Sequence, residues 1–283
     1  MVPAIGYNPC VNSTELDLYF ERTGYRGPRT PKLEVLHALT AAHTQTIPFE
    51  NLDVLLGRGI DLDFDAVFDK LVRRQRGGYC FEQNWLFLNV LQSLGFAATP
   101  LSARVRLDRP RDFIPPRTHM FIRVALDGTD WLTDVGVGAS SLTSAISFDS
   151  AAEQPTPHEP RRIVRESGRC FHQVRFGDDW HDVYEFTGEE MPEIDREVGN
   201  WFTSAHPRSH FKSRLIVARA GTEGRRYTLL NRDFKIRERD GHAKVRPIES
   251  AKQLLELLDE FFGLRFPEGT RFGDAPDSPW PIT

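Results

Sequence analysis

The sequence predicts an α+β fold: a helical first third, an antiparallel sheet or barrel, then a mixed α/β end. Three observations predict it. Up to Gly95, apolar residues recur at helical spacing between recognisable capping residues. From 96 to 185 the pattern changes to short β-branched and aromatic runs, broken by the hairpin dipeptides Asp127-Gly128 and Gly177-Asp178. Beyond residue 214, strand-like LIVARA and RRYTLLN precede one amphipathic helix.

Each element has a local reason. Asn12 and Glu15 form a capping-box signature ahead of Leu16, Tyr19 and Phe20, and Gly24 ends that helix. Thr30-Pro31 reads as an N-cap and first-turn proline for a second helix carrying Leu33, Leu36, His37 and Leu39. Asp65 is the expected cap of a third helix through Val67, Phe68 and Leu71. A fourth helix begins near Cys80, presents Phe81, Trp85, Leu88 and Leu91 on one face, and stops at Gly95. LSARVRL, HMFIRVAL, DWLTDVGV, RIVRE, CFHQVRF and DVYEF read as strands. Residues 149–161 are polar and Pro-rich and read as a surface loop. Ser250 caps a last helix through Leu254, Leu257, Leu258 and Phe261, ending at Gly263. The last dozen residues read as irregular.

Composition narrows the function. The 283 residues carry a net charge of −4, without the basic stripe of a nucleic-acid binder. No apolar run is long enough to span a bilayer. The start, MVPAIGYNPC, lacks a basic region and an apolar region of signal-peptide type, so the expectation is a cytoplasmic protein. The three cysteines, Cys10, Cys80 and Cys170, are odd in number and widely spaced, which argues against a disulfide framework. Cys170 and His172 are half of a metal pair with no second half nearby, so no metal site is expected.

Cys80 stands out among these. In RGGYCFEQN, residues 76–84, two glycines allow a tight turn into the helix that starts at the cysteine. Its sulfur then sits beside unpaired backbone N–H groups and the positive end of the helix dipole, a setting that favours thiolate. A nucleophile of this kind needs a base, and the base needs an orienting group. His119 lies on a well-alternating run, and the Asp127-Gly128 turn returns the chain through Trp131, Leu132, Thr133 and Asp134. An even loop puts odd positions of the first strand with even positions of the second, so His119 and Asp134 project from one side, within one or two pairs of each other. Asp134 is a carboxylate in a mainly apolar strand and requires a partner, which an imidazole supplies. Cys80, His119 and Asp134 thus have the Cys-His-Asp logic of acyl transfer. His206 and His210 in NWFTSAHPRSHF are the strongest rival histidines.

At this point the chain resembles the arylamine N-acetyltransferases. The pieces that carry the resemblance are IPFENLD (47–53), RGGYCFEQN (76–84), THMFIRV (118–124), WLTDVGVG (131–138) and NWFTSAHPRSHF (200–211), in the family's order. The resemblance implies three parts: a helical bundle over 1–95, a β-barrel over 96–215 and an α/β lid over 216–283, around a cysteine-protease-like core. It implies a triad of Cys80, His119 and Asp134. It further implies acetyl-coenzyme A as co-substrate, no permanently bound cofactor, and ping-pong acetylation of aromatic amines, hydrazines or hydroxylamines, as in xenobiotic metabolism. Thr118, Gly136, Val137, Gly138 and Phe211 are then the coenzyme A contacts, Arg76 and Asn84 brace the motif, and Glu82 is a structural residue of the helix start. Phe49 is an amine-pocket wall or a core aromatic. Val137 and Ala139 depart from the family pattern of an aromatic and a glycine, which bears on cleft shape and not on the triad.

Three other readings share parts of this logic. Amide synthases of ansamycin-type assembly resemble the same family and take the acyl group from a carrier protein. A thiol hydrolase or transglutaminase-like enzyme would pass it to water or lysine. A non-catalytic module would simply bury Cys80. The sequence leaves open a monomer or a homodimer.

Overall fold

The computed structural model describes residues 11–107 and 109–273. Cys10 and most of the Pro-rich tail lie outside the described residues.

The first third is helical, with one short strand: α1 (Ser13–Thr23), α2 (Leu33–Thr46), β1 (Phe49–Glu50), α3 (Leu52–Leu55), α4 (Phe64–Phe68) and α5 (Cys80–Ser93). The capping box at Asn12 is present, with reciprocal bonds of 3.0 Å to Glu15, and Gly24 closes α1 at φ 70°. Two expected starts are corrected. The Thr30 carbonyl accepts from the Lys32 amide at 2.8 Å, turning the chain about Pro31, so α2 begins at Leu33 and not at Pro31. Asp63, not Asp65, caps α4 by accepting from the Asp65 amide at 2.9 Å, and a single wide π-turn over Asp69–Arg73 replaces its expected continuation. Helix α5 also differs from the expected one-sided pattern. It is buried on all sides from Cys80 to Leu91, so Glu82, Gln83, Asn84 and Asn89 each need an internal partner.

The central sheet contains β2 (Ala97–Val105), β3 (His119–Leu126), β4 (Thr129–Thr133), β5 (Ile146–Ser147), β6 (Arg161–Glu166), β7 (Arg169–Phe176) and β8 (Asp179–Phe186). Its order is β5-β4-β3-β2-β8-β7-β6, antiparallel throughout. Asp127 and Gly128 both take positive φ, the tight hairpin turn their sequence calls for. The edges come together where the Ile163 amide donates to the Ser150 carbonyl at 3.2 Å, so the sheet nearly closes into a barrel.

The end of the chain adds α6 (Glu193–Ser204), β9 (Ile216–Ala220), β10 (Arg226–Leu230), β11 (Asp233–Arg237), β12 (Ala243–Pro247) and α7 (Ala251–Phe262). Strand β1 from the helical third joins this second sheet, whose order is β1-β9-β10-β11-β12. Leu254, Leu257, Leu258 and Phe262 of α7 pack on Leu215, Val217, Leu229 and Phe234. Each such buried side chain stabilises the fold by about 1.5–3 kcal/mol.

The expected surface loop 149–161 is corrected at its end. Glu159 is buried and accepts from Arg161 at 3.0 Å, from Arg226 at 2.8 and 3.1 Å, and from Arg237. One carboxylate thus ties the barrel to the second sheet. Burial opposes its charge, but Arg226, Arg161 and Arg237 hold it well below the usual carboxylate range.

Candidate active site

Most residues of RGGYCFEQN have a task. Arg76 donates to Glu50 at 2.7 Å and to Asp53 at 3.2 Å. A Cβ on Gly77 would lie 2.1 Å from the Pro48 carbonyl oxygen, so only glycine fits between β1 and α5. Tyr79 is the extended N-cap of α5, and its amide donates to Glu82 at 3.0 Å. Its hydroxyl donates to Asn200 of α6. Phe81 packs on Gly199, where a Cβ would come within 2.6 Å of the ring. Gln83 bonds to His43 at 2.6 Å and donates to the Pro48 carbonyl at 2.8 Å.

Glu82 accepts from Lys70 at 2.7 Å, and Lys70 also pairs with Asp53 at 2.8 Å. Burial opposes the charge on Asp53, yet Lys70 and Arg76 hold its pKa at about 2. Burial raises the Glu82 carboxyl. This ion network lies beneath the helix start and supports the turn.

Cys80 is the first residue of α5 and only 5% exposed. Its thiol donates weakly to the Thr118 carbonyl at 3.6 Å. His119, the first residue of β3, bonds through Nε2 to Asp134 Oδ2 at 2.7 Å, and both side chains are buried. The hairpin register, Ile122 opposite Thr133, sets Asp134 one same-face step from His119. Burial works against a charge on His119. The nearby Asp134 carboxylate and Cys80 sulfur outweigh it and raise its pKa to about 10.

Asn84 completes the arrangement. Its Nδ2 donates to Asp134 Oδ1 at 2.9 Å and to the Met120 carbonyl at 2.7 Å, and its Oδ1 accepts from the Val135 amide at 3.0 Å. The Gly136 amide donates to Asp134 Oδ1 at 2.9 Å. Asn84 sits one helical turn after Cys80, so it locks the nucleophile's helix to the strand end that carries the acid. A Cβ on Gly136 would lie 2.8 Å from Cys80 Cα, so this glycine permits the close approach of the two segments.

The other expected site residues divide. Thr118 lies against the thiol, and Phe211 packs 5.7 Å from the Tyr79 ring and 6.1 Å from Phe49. Gly138 takes φ 65° beside Phe49, which is buried in the main core. Val137 is buried in the barrel core. Among the rival histidines, His206 stacks on Phe202 at 4.7 Å and His210 bears on Phe211 at 4.6 Å. Among the described residues no group of His, Cys, Asp and Glu is arranged to hold a metal ion. Tyr184 was missed by sequence reasoning: its ring lies 5.0 Å from His119 and its hydroxyl faces Asp134, outside hydrogen-bond geometry.

Comparison with known proteins decides the family. A family profile described as N-acetyltransferase matches residues 32–270. The chain is 42% identical over 254 residues to the arylamine N-acetyltransferase of Mycolicibacterium smegmatis, covering 88% of this chain and 92% of that one. The chain belongs to the arylamine N-acetyltransferase family. It is therefore an acyltransferase. The arylamine N-acetyltransferase of Escherichia coli K12 is 39% identical over 250 residues, covering 88% of each chain. The fold matches the Mycobacterium marinum arylamine N-acetyltransferase solved in complex with CoA, with TM-score 0.84, 37% identity, and 88% of this chain and 92% of that one covered. It matches the Salmonella typhimurium arylamine N-acetyltransferase with TM-score 0.86, 35% identity, and 94% and 96% covered. No described helix is long and apolar enough to cross a membrane.

Proposed function

We propose that this acyltransferase moves an acetyl group from acetyl-coenzyme A to the nitrogen of arylamines or arylhydrazines, in two steps through an acetyl-Cys80. The observation that carries the proposal is a buried His119–Asp134 pair next to Thr118, whose carbonyl receives the thiol of Cys80 at the first position of a helix. Family membership supports the reaction class, and the M. marinum neighbour solved with CoA supports the donor. A Salmonella typhimurium relative is named for O-acetylation of N-hydroxyarylamines as well, which supports that acceptor class here.

The residues divide the chemistry. In the first step the Cys80 sulfur, as thiolate beside imidazolium His119, attacks the thioester carbonyl carbon. The Glu82 and Gln83 amides already donate to the Tyr79 carbonyl, which leaves the Cys80 and Phe81 amides as the donors we assign to the developing oxyanion. A C–S bond to Cys80 forms, the C–S bond to coenzyme A breaks, and His119 gives its proton to the leaving thiolate. In the second step the amine nitrogen attacks acetyl-Cys80, neutral His119 takes the amine proton, and the Cys80 thiolate leaves. Asp134 keeps the ring oriented and charged in the resting state. Thr118, Gly138 and Phe211 are the residues we assign to the approach of coenzyme A. Gly136 and Val137 act beneath them, since the protein itself packs against both.

Initial rates with acetyl-coenzyme A and an arylamine test this. Parallel double-reciprocal lines are expected. Turnover only with a carrier-bound acyl donor would instead favour an amide synthase, and rapid release of acetate without amine a hydrolase.

A further inference from the structure

The barrel interior carries a polar stripe behind the triad that the proposed reaction does not use. Arg161 of β6, His172 of β7 and Tyr184 of β8 are all fully buried. The register sets His172 opposite Tyr184 and Arg161 opposite Val174, one same-face step from His172. The His172 ring lies 4.8 Å from Tyr184, and Tyr184 lies 5.0 Å from His119. Both nitrogens of His172, Nε and Nη1 of Arg161, and the Tyr184 hydroxyl have no protein partner at hydrogen-bond geometry. Native interiors leave few such groups unsatisfied, and ordered internal water is the usual partner where several polar atoms lie close together.

Charge decides how His172 takes part. The charged and titratable groups that act on it are Arg161 from β6, His119 from β3 and the Tyr184 hydroxyl from β8. Burial, Arg161 and His119 together hold its pKa well below the ordinary value. His172 is therefore neutral, with one nitrogen donating and the other accepting. Such a ring can link Arg161, which only donates, to the Tyr184 hydroxyl, which faces Asp134.

We propose that His172 is a positioning residue for the triad, holding Tyr184 against His119 and Asp134 through ordered internal water shared with Arg161. The consequence for turnover rests on the acyl-transfer reading. The arrangement itself does not, so its test uses neither acetyl-coenzyme A nor amine.

The test measures iodoacetamide alkylation of Cys80 in the full chain at pH 6 and pH 9, for wild type, His172→Phe and His172→Gln. The ratio of the two rates reports the thiolate–imidazolium pair and cancels simple access. In His172→Phe the ratio should fall about tenfold while thermal stability holds or rises, because an apolar ring replaces a buried group with unpaired atoms. His172→Gln, which keeps a donor and an acceptor, should return the ratio to within about twofold. A wild-type ratio in His172→Phe overturns the proposal, and so does a His172→Gln protein as defective as His172→Phe. Should His172→Phe not fold, a wild-type crystal structure decides: ordered water on the His172 nitrogens supports the proposal and a dry interior overturns it.

Discussion

Asp134→Asn isolates the charge that holds His119 in its proposed form. The substitution keeps the size of the side chain and an oxygen for the Asn84 and Gly136 donors, which lie 2.9 Å from Oδ1. It removes the negative charge 2.7 Å from His119 Nε2. In the parent, the rise of the His119 pKa from 6.5 to about 10 corresponds to at most about 5 kcal/mol in favour of imidazolium. Without the carboxylate, burial dominates and the ring is neutral at pH 7. The assay is Cys80 alkylation by iodoacetamide between pH 6 and 9. The parent rate should vary only about threefold, because the ion pair persists until His119 loses its proton. The variant rate at pH 6 should fall about 100-fold, because a neutral ring no longer pairs with a thiolate. The stability sign follows from the same shift. A pKa raised on folding contributes stability that is complete below 6.5 and lost as pH rises through about 10. The parent should therefore lose stability across that window and Asp134→Asn should not. A flat alkylation profile in the variant would show that the Asp134 charge does not hold His119 protonated.

Other consequences are equally direct. Asn84→Ala leaves the Met120 carbonyl and the Val135 amide unpaired in the core and should cost about 2–5 kcal/mol in denaturant unfolding; a cost below about 1 kcal/mol would mean that water replaces the bonds. Gly136→Ala drives a Cβ to within 2.8 Å of Cys80 Cα and should abolish thiol reactivity, whereas Gly128→Ala, with nothing within 4 Å but φ 77°, should cost only about 1 kcal/mol and keep it. Glu159→Gln should destabilise the chain by roughly 3–5 kcal/mol at pH 7, because three guanidinium groups lose their shared carboxylate. Since folding lowers the pKa of Glu159, its contribution should be present above about 4.5 and disappear as pH falls below that value in acid-unfolding curves.

Much of the site was legible because its parts are local. Cys80 follows a two-glycine turn at a helix start, and His119 and Asp134 flank one tight hairpin whose parity puts them on one face. Helix caps at Asn12 and Ser250 could be read for the same reason. What stayed hidden depends on pairings between distant segments. Strand β2 lies between β3 and β8, so nothing near Tyr184 or His172 in the chain announces that they face His119. Strand β1 is two residues long and joins a sheet by pairing with β9, whose residues lie far along the chain. Glu159 sits among prolines and polar residues that look solvated, and only the fold brings Arg226 and Arg237 to it. A buried ion cluster reads in sequence like an exposed one, because both consist of charged residues without periodicity.

Transfer of an acyl group from coenzyme A to Cys80 can be measured directly. The full chain is incubated with acetyl-coenzyme A alone, and intact mass and released thiol are recorded. A single acetyl adduct should form, be absent from Cys80→Ala, and discharge when an arylamine is added. A folded sample that gains no adduct and releases no thiol would contradict transfer from coenzyme A and point to acyl donors bound to a carrier protein.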